Sequence, residues 1–238
     1  MKKKLHKSNS RGSANHGWLN THYSFSFADY YNPEKIHFGA LRVLNDDIIA
    51  PGQGFGTHPH DNMEIITIPL SGDLEHKDSM GNTGIIRNGE VQVMSAGTGI
   101  RHSEFNANSN ERLKLLQIWI FPNKKNVEPR YDQISIKDLE IENDLFQILS
   151  PNKDDQGVWI YQDAWFHLGY LNPGWKGNYK LKGKNHGVYI FIIEGKVDIE
   201  GQELSIRDAI EISETDQVNI SVKEKSQILV MEVPMNLN

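Results

Sequence analysis

The sequence contains no cysteine in 238 residues, so neither a disulfide nor a thiolate metal site is available to it. That absence fits a reducing compartment, and a cytoplasmic protein is expected. Long apolar runs are missing too, and nothing here could span a bilayer as a helix. The basic start, Met1-Lys2-Lys3-Lys4-Leu5-His6-Lys7-Ser8, leads into no apolar stretch, which reads against a secretory signal. Nor is there an excess of positive charge: 25 Lys and Arg face 31 Asp and Glu, a formal charge of −6. A general nucleic-acid binder needs a basic face that releases counterions, so direct nucleic-acid contact is not expected. The lysines at the start then read as a solvated arm. A helical period is nearly absent as well, with a short helix admitted only within Ser135 to Leu149.

What is present is a succession of short β-patterned segments separated by turns. Tyr23, Phe25 and Phe27 alternate with small polar residues, the period of a strand with one buried face. Ala40 to Leu44 reads as a strand, Asn45-Asp46-Asp47 as a turn, and Ile48-Ile49 as the next strand. Met63 to Leu70 and Leu113 to Phe121 are apolar enough for strands buried on both sides. Pro122 to Gln133 is polar, carries two prolines and reads as a linker over the surface. A second β-rich half begins near Gly157, its turns marked by Asn172-Pro173-Gly174, Glu194-Gly195 and Glu200-Gly201. The pattern predicts an all-β protein, with residues 1–133 as one domain and 134–238 as another.

Histidine is distributed unevenly between the halves. Eight of the ten precede residue 103, leaving only His167 and His186 in the second half. Two glycine-flanked stretches, Gly52 to Glu64 and Gly97 to Asn106, each hold two metal-capable side chains at an offset of two: His58 with His60, and His102 with Glu104. On a strand that offset places both side chains on one face with α-carbons roughly 6.5–7 Å apart, within reach of one ion. A closed β-structure that sets the two strands side by side would assemble three histidines and one carboxylate. Either pair alone is a weak signal and would be read as the solvated end of a strand. A purely structural staple is disfavoured, since staples are usually cysteine-rich and serve domains too small to fold otherwise.

Gly52, His58, His60 and Glu64 resemble the first motif of the cupin superfamily, although Gly72 falls one position late. His102 lies two residues farther from Gly97 than the second motif has it. Those departures match a subfamily. The runs His16-Gly17-Trp18-Leu19-Asn20, Ser24 to Tyr31, Gly54 to His60, Asp78-Ser79-Met80-Gly81-Asn82 and Met94 to Glu104 resemble the pirin family, in particular its short bacterial members known as quercetin 2,3-dioxygenases.

The resemblance implies a bicupin, two β-barrels of double-stranded β-helix type, with a metal in the N-terminal barrel held by His58, His60, His102 and Glu104. The C-terminal barrel is expected to lack metal ligands. Glu64 is carried over only as a group supporting the ligands. Imidazole and carboxylate donors suit iron(II) first, and also admit manganese, cobalt, nickel, copper or zinc. The implied reaction is cleavage of a flavonol such as quercetin by O2 with release of CO, Glu104 doubling as base. Phe38, Phe55 and Phe105 are candidates to face the flat substrate. A different enolisable substrate would suit the same site. The rival reading is a non-catalytic, iron-dependent redox-sensing regulator acting through a protein partner.

Overall fold

The computed structural model describes residues 1–237, and among them there is no α-helix; the only helical segment is a single 3-10 turn at Ser8–Ser10. The chain opens with β1 (Lys2–His6), β2 (Gly12–Asn15), β3 (Leu19–Tyr23), β4 (Leu41–Ile49), β5 (Gly54–His60) and β6 (Glu64–Ser71). There follow β7 (Leu74–Asp78), β8 (Thr83–Ile86), β9 (Glu90–Ser95), β10 (Ile100–Asn106), β11 (Leu113–Ile120) and β12 (Arg130–Ser135). The second half supplies β13 (Leu145–Ser150), β14 (Val158–Trp159), β15 (Trp165–Leu171) and β16 (Lys176–Lys180). It ends with β17 (His186–Ile199), β18 (Gln202–Ser205), β19 (Ala209–Ser213) and β20 (Gln217–Pro234).

Two sheets form the first barrel: seven strands in the order β12-β9-β6-β11-β4-β3-β2, and four in the order β5-β10-β7-β8. Leu19, Ile49 and Leu113 of the larger sheet meet Leu74 and Ile86 of the smaller one inside it. The second barrel is one sheet wrapped on itself. Its two longest strands, β17 and β20, pair with each other and carry β18, β19, β15 and β16 along their lengths. The expected all-β, two-barrel architecture is therefore what the chain adopts.

Alternation along the central strands decides what each barrel encloses. Leu44, Ile118, Ile66 and Val93 stand opposite one another across β4, β11, β6 and β9. They face out of the first barrel and join Phe146, Phe166, Phe191, Leu229 and Met231 of the second in the largest apolar cluster. One residue further along, Tyr23, Asn45, Gln117, Thr67 and Gln92 form a row across β3, β4, β11, β6 and β9. That row faces into the first barrel, so its core is polar where its back is apolar.

Several sequence expectations are corrected here. Asn45-Asp46-Asp47 is no turn; β4 runs through it unbroken, because β3 and β11 take up both its edges and their ladders outweigh local turn preference. The basic start is not a free arm, since β1 pairs with β19 of the second barrel while its lysine side chains stay exposed. The segment Ser135 to Leu149 holds no helix; its end is β13, which pairs with β15. Arg130 to Gln133, read as linker, belong to β12, which pairs with β9.

Candidate metal centre

Strand β5 lies at the edge of the smaller sheet, antiparallel to β10, with His58 directly opposite His102. Gly54 permits that close approach: a Cβ there would collide with the Glu104 carbonyl oxygen. The three histidine rings converge, with centroids 4.4 Å apart for His58 and His102, 4.8 Å for His60 and His102, and 4.9 Å for His58 and His60. One ring nitrogen of each lies within 4.8 Å of the others. Carbonyl oxygens only accept, so the 2.8 Å contact between His58 Nδ1 and Gly56 O means that Nδ1–H donates, leaving the Nε2 lone pair for a ligand.

His102 is buried, and neither ring nitrogen has a hydrogen-bond partner among the described residues. An imidazole left so costs about 1–3 kcal/mol per unsatisfied group. Burial, reinforced by the neighbouring His58 and His76, pushes its pKa down to about 3. His60 is lowered to about 4, by burial first and then by His102 and His58. Both rings are neutral near pH 7 and offer lone pairs, the state in which imidazole binds a metal. The donor set thus fits a divalent transition metal, and a bound ion would satisfy one of the two His102 nitrogens that have no partner among the described residues.

Glu104 enters the barrel from β10 on the same face as His102. Gln117 Nε2 donates to both its oxygens, at 2.9 and 3.1 Å, and the Thr67 hydroxyl, 3.5 Å from one of them, also reaches Gln117 Oε1 at 3.1 Å. The polar row across the large sheet therefore holds the carboxylate. His76, which no sequence motif singled out, lies opposite Glu104 on β7 and is fully buried. Its Nε2–H donates to Asp78 at 3.3 Å, while Nδ1 has no partner among the described residues. His76, His102 and Glu104 form a second group of three possible donors, so the two groups share His102. The alternation of buried Leu74 and His76 with the more exposed Glu75 and Lys77 was the available signal for His76.

A cleft of about 310 Å³ is walled by Trp18, Tyr23, Phe27 and Phe55 and floored by Thr21, Asn45 and Asp47; none of the four expected ligands lines it, and Phe55 joins it to the histidines. Phe55 packs 6.4 Å from His58, and Phe27 lies 5.3 Å from Trp119, itself 4.9 Å from His60. Larger clefts of about 540 and 580 Å³ near Lys2 contain none of the expected ligands. Of the three candidate phenylalanines only Phe55 is at the site. Phe38 is buried between the barrels against Tyr189, and Phe105 points to the other face of β10 from Glu104. Glu64 shares a strand face with Ile66, away from the histidines, and accepts the Ser95 hydroxyl at 2.7 Å. It is not a support for the ligands.

In the second barrel Glu232 is the buried polar centre. It accepts hydrogen bonds from Tyr179 Oη (2.9 Å), the backbone N–H of Lys182 (2.9 Å) and Gly183 (2.8 Å), and His186 Nδ1 (3.0 Å). Burial opposes its charge, but these donors hold its pKa below the usual carboxylate range.

Residues 4–120 match the family model described as Pirin, and residues 147–233 match that of the quercetinase C-terminal cupin domain. The chain is 43% identical over 230 residues to a quercetin 2,3-dioxygenase of Escherichia coli K12, covering 97% of this chain and 98% of that one. Among solved structures it is similar to the bacterial pirin YhhW from Escherichia coli in complex with nickel(II), at TM-score 0.93 and 42% identity over 98% and 99% of the two chains. A quercetin 2,3-dioxygenase from Acinetobacter baumannii matches at TM-score 0.80 and 25% identity, over 98% of this chain and 86% of that one. Identity of that extent, carried through both barrels, means that this chain belongs to the pirin family.

Proposed function

We propose that the protein is a metal-dependent dioxygenase that opens the central ring of a flavonol such as quercetin with O2 and releases CO. In this reading residues 1–133 form the metal-binding domain and residues 134–238 a cupin-like domain without ligands, to whose sheet the first lends β1. His58, His60, His102 and Glu104 hold the ion, with iron(II) the first choice. The observation that carries the reading is the buried His102 ring, unpaired at both nitrogens among the described residues and faced by two further imidazoles. A divalent transition metal bound there supplies Lewis acidity toward the substrate's 3-hydroxyl and carbonyl and an electron route to O2.

The remaining work falls to the chain's own side chains. Glu104, kept in place by Gln117, accepts the proton of the 3-hydroxyl, which leaves the electron-rich enolate that O2 attacks. Trp119 and Phe55 flank His60 and His58 and keep the flat substrate beside them while excluding water. Both atoms of O2 enter the opened product, and one ring carbon leaves with its own oxygen as CO, so the reaction balances without an external reductant. The relatives' names support the reaction class. Reconstitution with iron(II) under argon, followed by quercetin and then O2, tests it: CO and the ring-opened ester should appear in equal amounts. Absence of CO with every first-row divalent metal refutes flavonol turnover.

A further inference from the structure

The cleft that Phe55 joins to the histidines carries a feature that the metal does not account for. Asn45 Oδ1, Asp47 Oδ1 and the Thr21 hydroxyl are buried with no hydrogen-bond partner among the described residues. All three line the cleft, brought together because Thr21 lies opposite Asp47 on β3 and β4 and Asn45 is two residues back on the same face. Buried polar groups are ordinarily satisfied, and two acceptors left without an aligned donor, beside a hydroxyl that is itself unpaired, mark a place where a ligand supplies the missing partners. The apolar face of such a ligand has its counterpart in the walls, where Trp18 stacks edge-on against Phe55 at 5.2 Å.

We propose that Asn45, Asp47 and Thr21 form a subsite for the hydroxyls of an aromatic ring remote from the metal, and that it selects substrates whose lateral ring carries adjacent hydroxyl donors. The inference rests on the flavonol reading and names the part of the substrate that the metal does not touch. Its geometry is continuous with the metal site: Asn45 stands opposite Gln117, whose amide holds Glu104. At about 310 Å³ the cleft lies at the small end of ligand sites of roughly 300–1,000 Å³, which suits one or two flat rings. Two acceptor side chains at one end of an aromatic slot meet two neighbouring hydroxyls on one ring edge. A ring without hydroxyls would leave the same acceptors dry and unpaired. Such a site discriminates strongly, because the penalty falls on the wrong ligand.

The test compares quercetin, with two adjacent hydroxyls on its lateral ring, and galangin, which has none there and is otherwise identical. Both are titrated into nickel-loaded, full-length protein under argon, so that no turnover occurs and the contact to the metal is common to both; quenching of tryptophan fluorescence reports binding. Quercetin should bind at least about 30-fold more tightly than galangin. The ratio should fall below about threefold in Asp47→Leu and in Asn45→Leu. Equal affinities in the wild-type protein overturn the subsite without recourse to any variant, and so does a preference that survives both substitutions. Selective binding without CO release on admitting O2 to enzyme loaded in turn with each first-row divalent metal supports the subsite while refuting flavonol turnover. CO release with equal binding does the reverse.

Discussion

Replacing Asp47 by asparagine should stabilise the protein at alkaline pH and leave it little changed at acidic pH. The carboxyl is 4% exposed, and its Oδ1 has no hydrogen-bond partner among the described residues. Burial, with the charges of Asp46 and Glu104 adding to it, pushes its pKa from the usual 3.8 to about 7; Thr21 lies near enough to offset part of the rise but not in hydrogen-bond alignment. The sign follows from proton linkage. Below pH 3.8 both folded and unfolded chains are protonated and nothing is lost. Between 3.8 and about 7 the folded chain binds the proton more tightly, so stability falls as pH rises. Above 7 the loss is complete, about 4 kcal/mol at roughly 1.36 kcal/mol per pH unit. From pH 5.5 to pH 8 the fall due to Asp47 alone is about 2 kcal/mol. Glu64, which burial raises to about 7, adds a parallel slope that is common to both proteins and cancels in their difference. Urea denaturation of metal-free wild type and Asp47→Asn at the two pH values measures it. The variant's advantage should grow by about 2 kcal/mol from the lower to the higher pH. An advantage independent of pH would mean that the carboxylate is solvated or paired, and the argument for unsatisfied acceptors in the cleft would fail with it.

Other substitutions separate holding the metal from holding the fold. His102→Leu should lower metal affinity by at least about 100-fold, read by elemental analysis after dialysis, without lowering the melting temperature of the metal-free protein, since it removes two unpaired buried nitrogens. Gln117→Leu should weaken metal binding by about 10–100-fold, because Glu104 loses the amide that donates to both its oxygens. Glu232→Ala should cost about 3 kcal/mol or more in urea denaturation, since Tyr179, His186 and two backbone amides lose their acceptor together, while metal content at the first barrel stays unchanged.

The pairing of candidate donors on shared strand faces was legible in the sequence because it depends on a period of two, which strand geometry imposes whatever the tertiary context. His58 and His60, and His102 and Glu104, had to share faces once β5 and β10 were strands; that the strands would be neighbours was the condition a shared ion and a closed β-structure set, and β5 and β10 do pair. What was hidden depends on partners remote in sequence. Asn45-Asp46-Asp47 has turn chemistry, and only the neighbours β3 and β11 keep it extended. Asp46 then turns outward to meet Arg11 at 3.3 Å and Arg207 at 2.9 Å, while Asn45 and Asp47 turn inward to the cleft. The glycine turn at Glu194-Gly195 suggested two strands where β17 is one, because three register shifts between Ile192 and Val197 absorb the irregularity without ending the ladder. The local rule failed most sharply at the cleft floor, and conflict between local preference and adopted structure is expected where a site has been built.

The placement of the apolar core explains how such a site is tolerated. In a lone barrel, a row running from Tyr23 through Asn45, Gln117 and Thr67 to Gln92 would weaken the only core available. Here the same strands turn Leu44, Ile118, Ile66 and Val93 outward, and those side chains are buried against the second barrel in the largest apolar cluster of the molecule. The strands that carry the polar row are thus fixed from behind. Unsatisfied nitrogens and oxygens at roughly 1–3 kcal/mol each can then persist on the inner face without unfolding the sheet that bears them. A second barrel therefore supports the cleft although, among the described residues, none of its side chains lines it. It supplies the burial that leaves the interior of the first free to be shaped by its ligands.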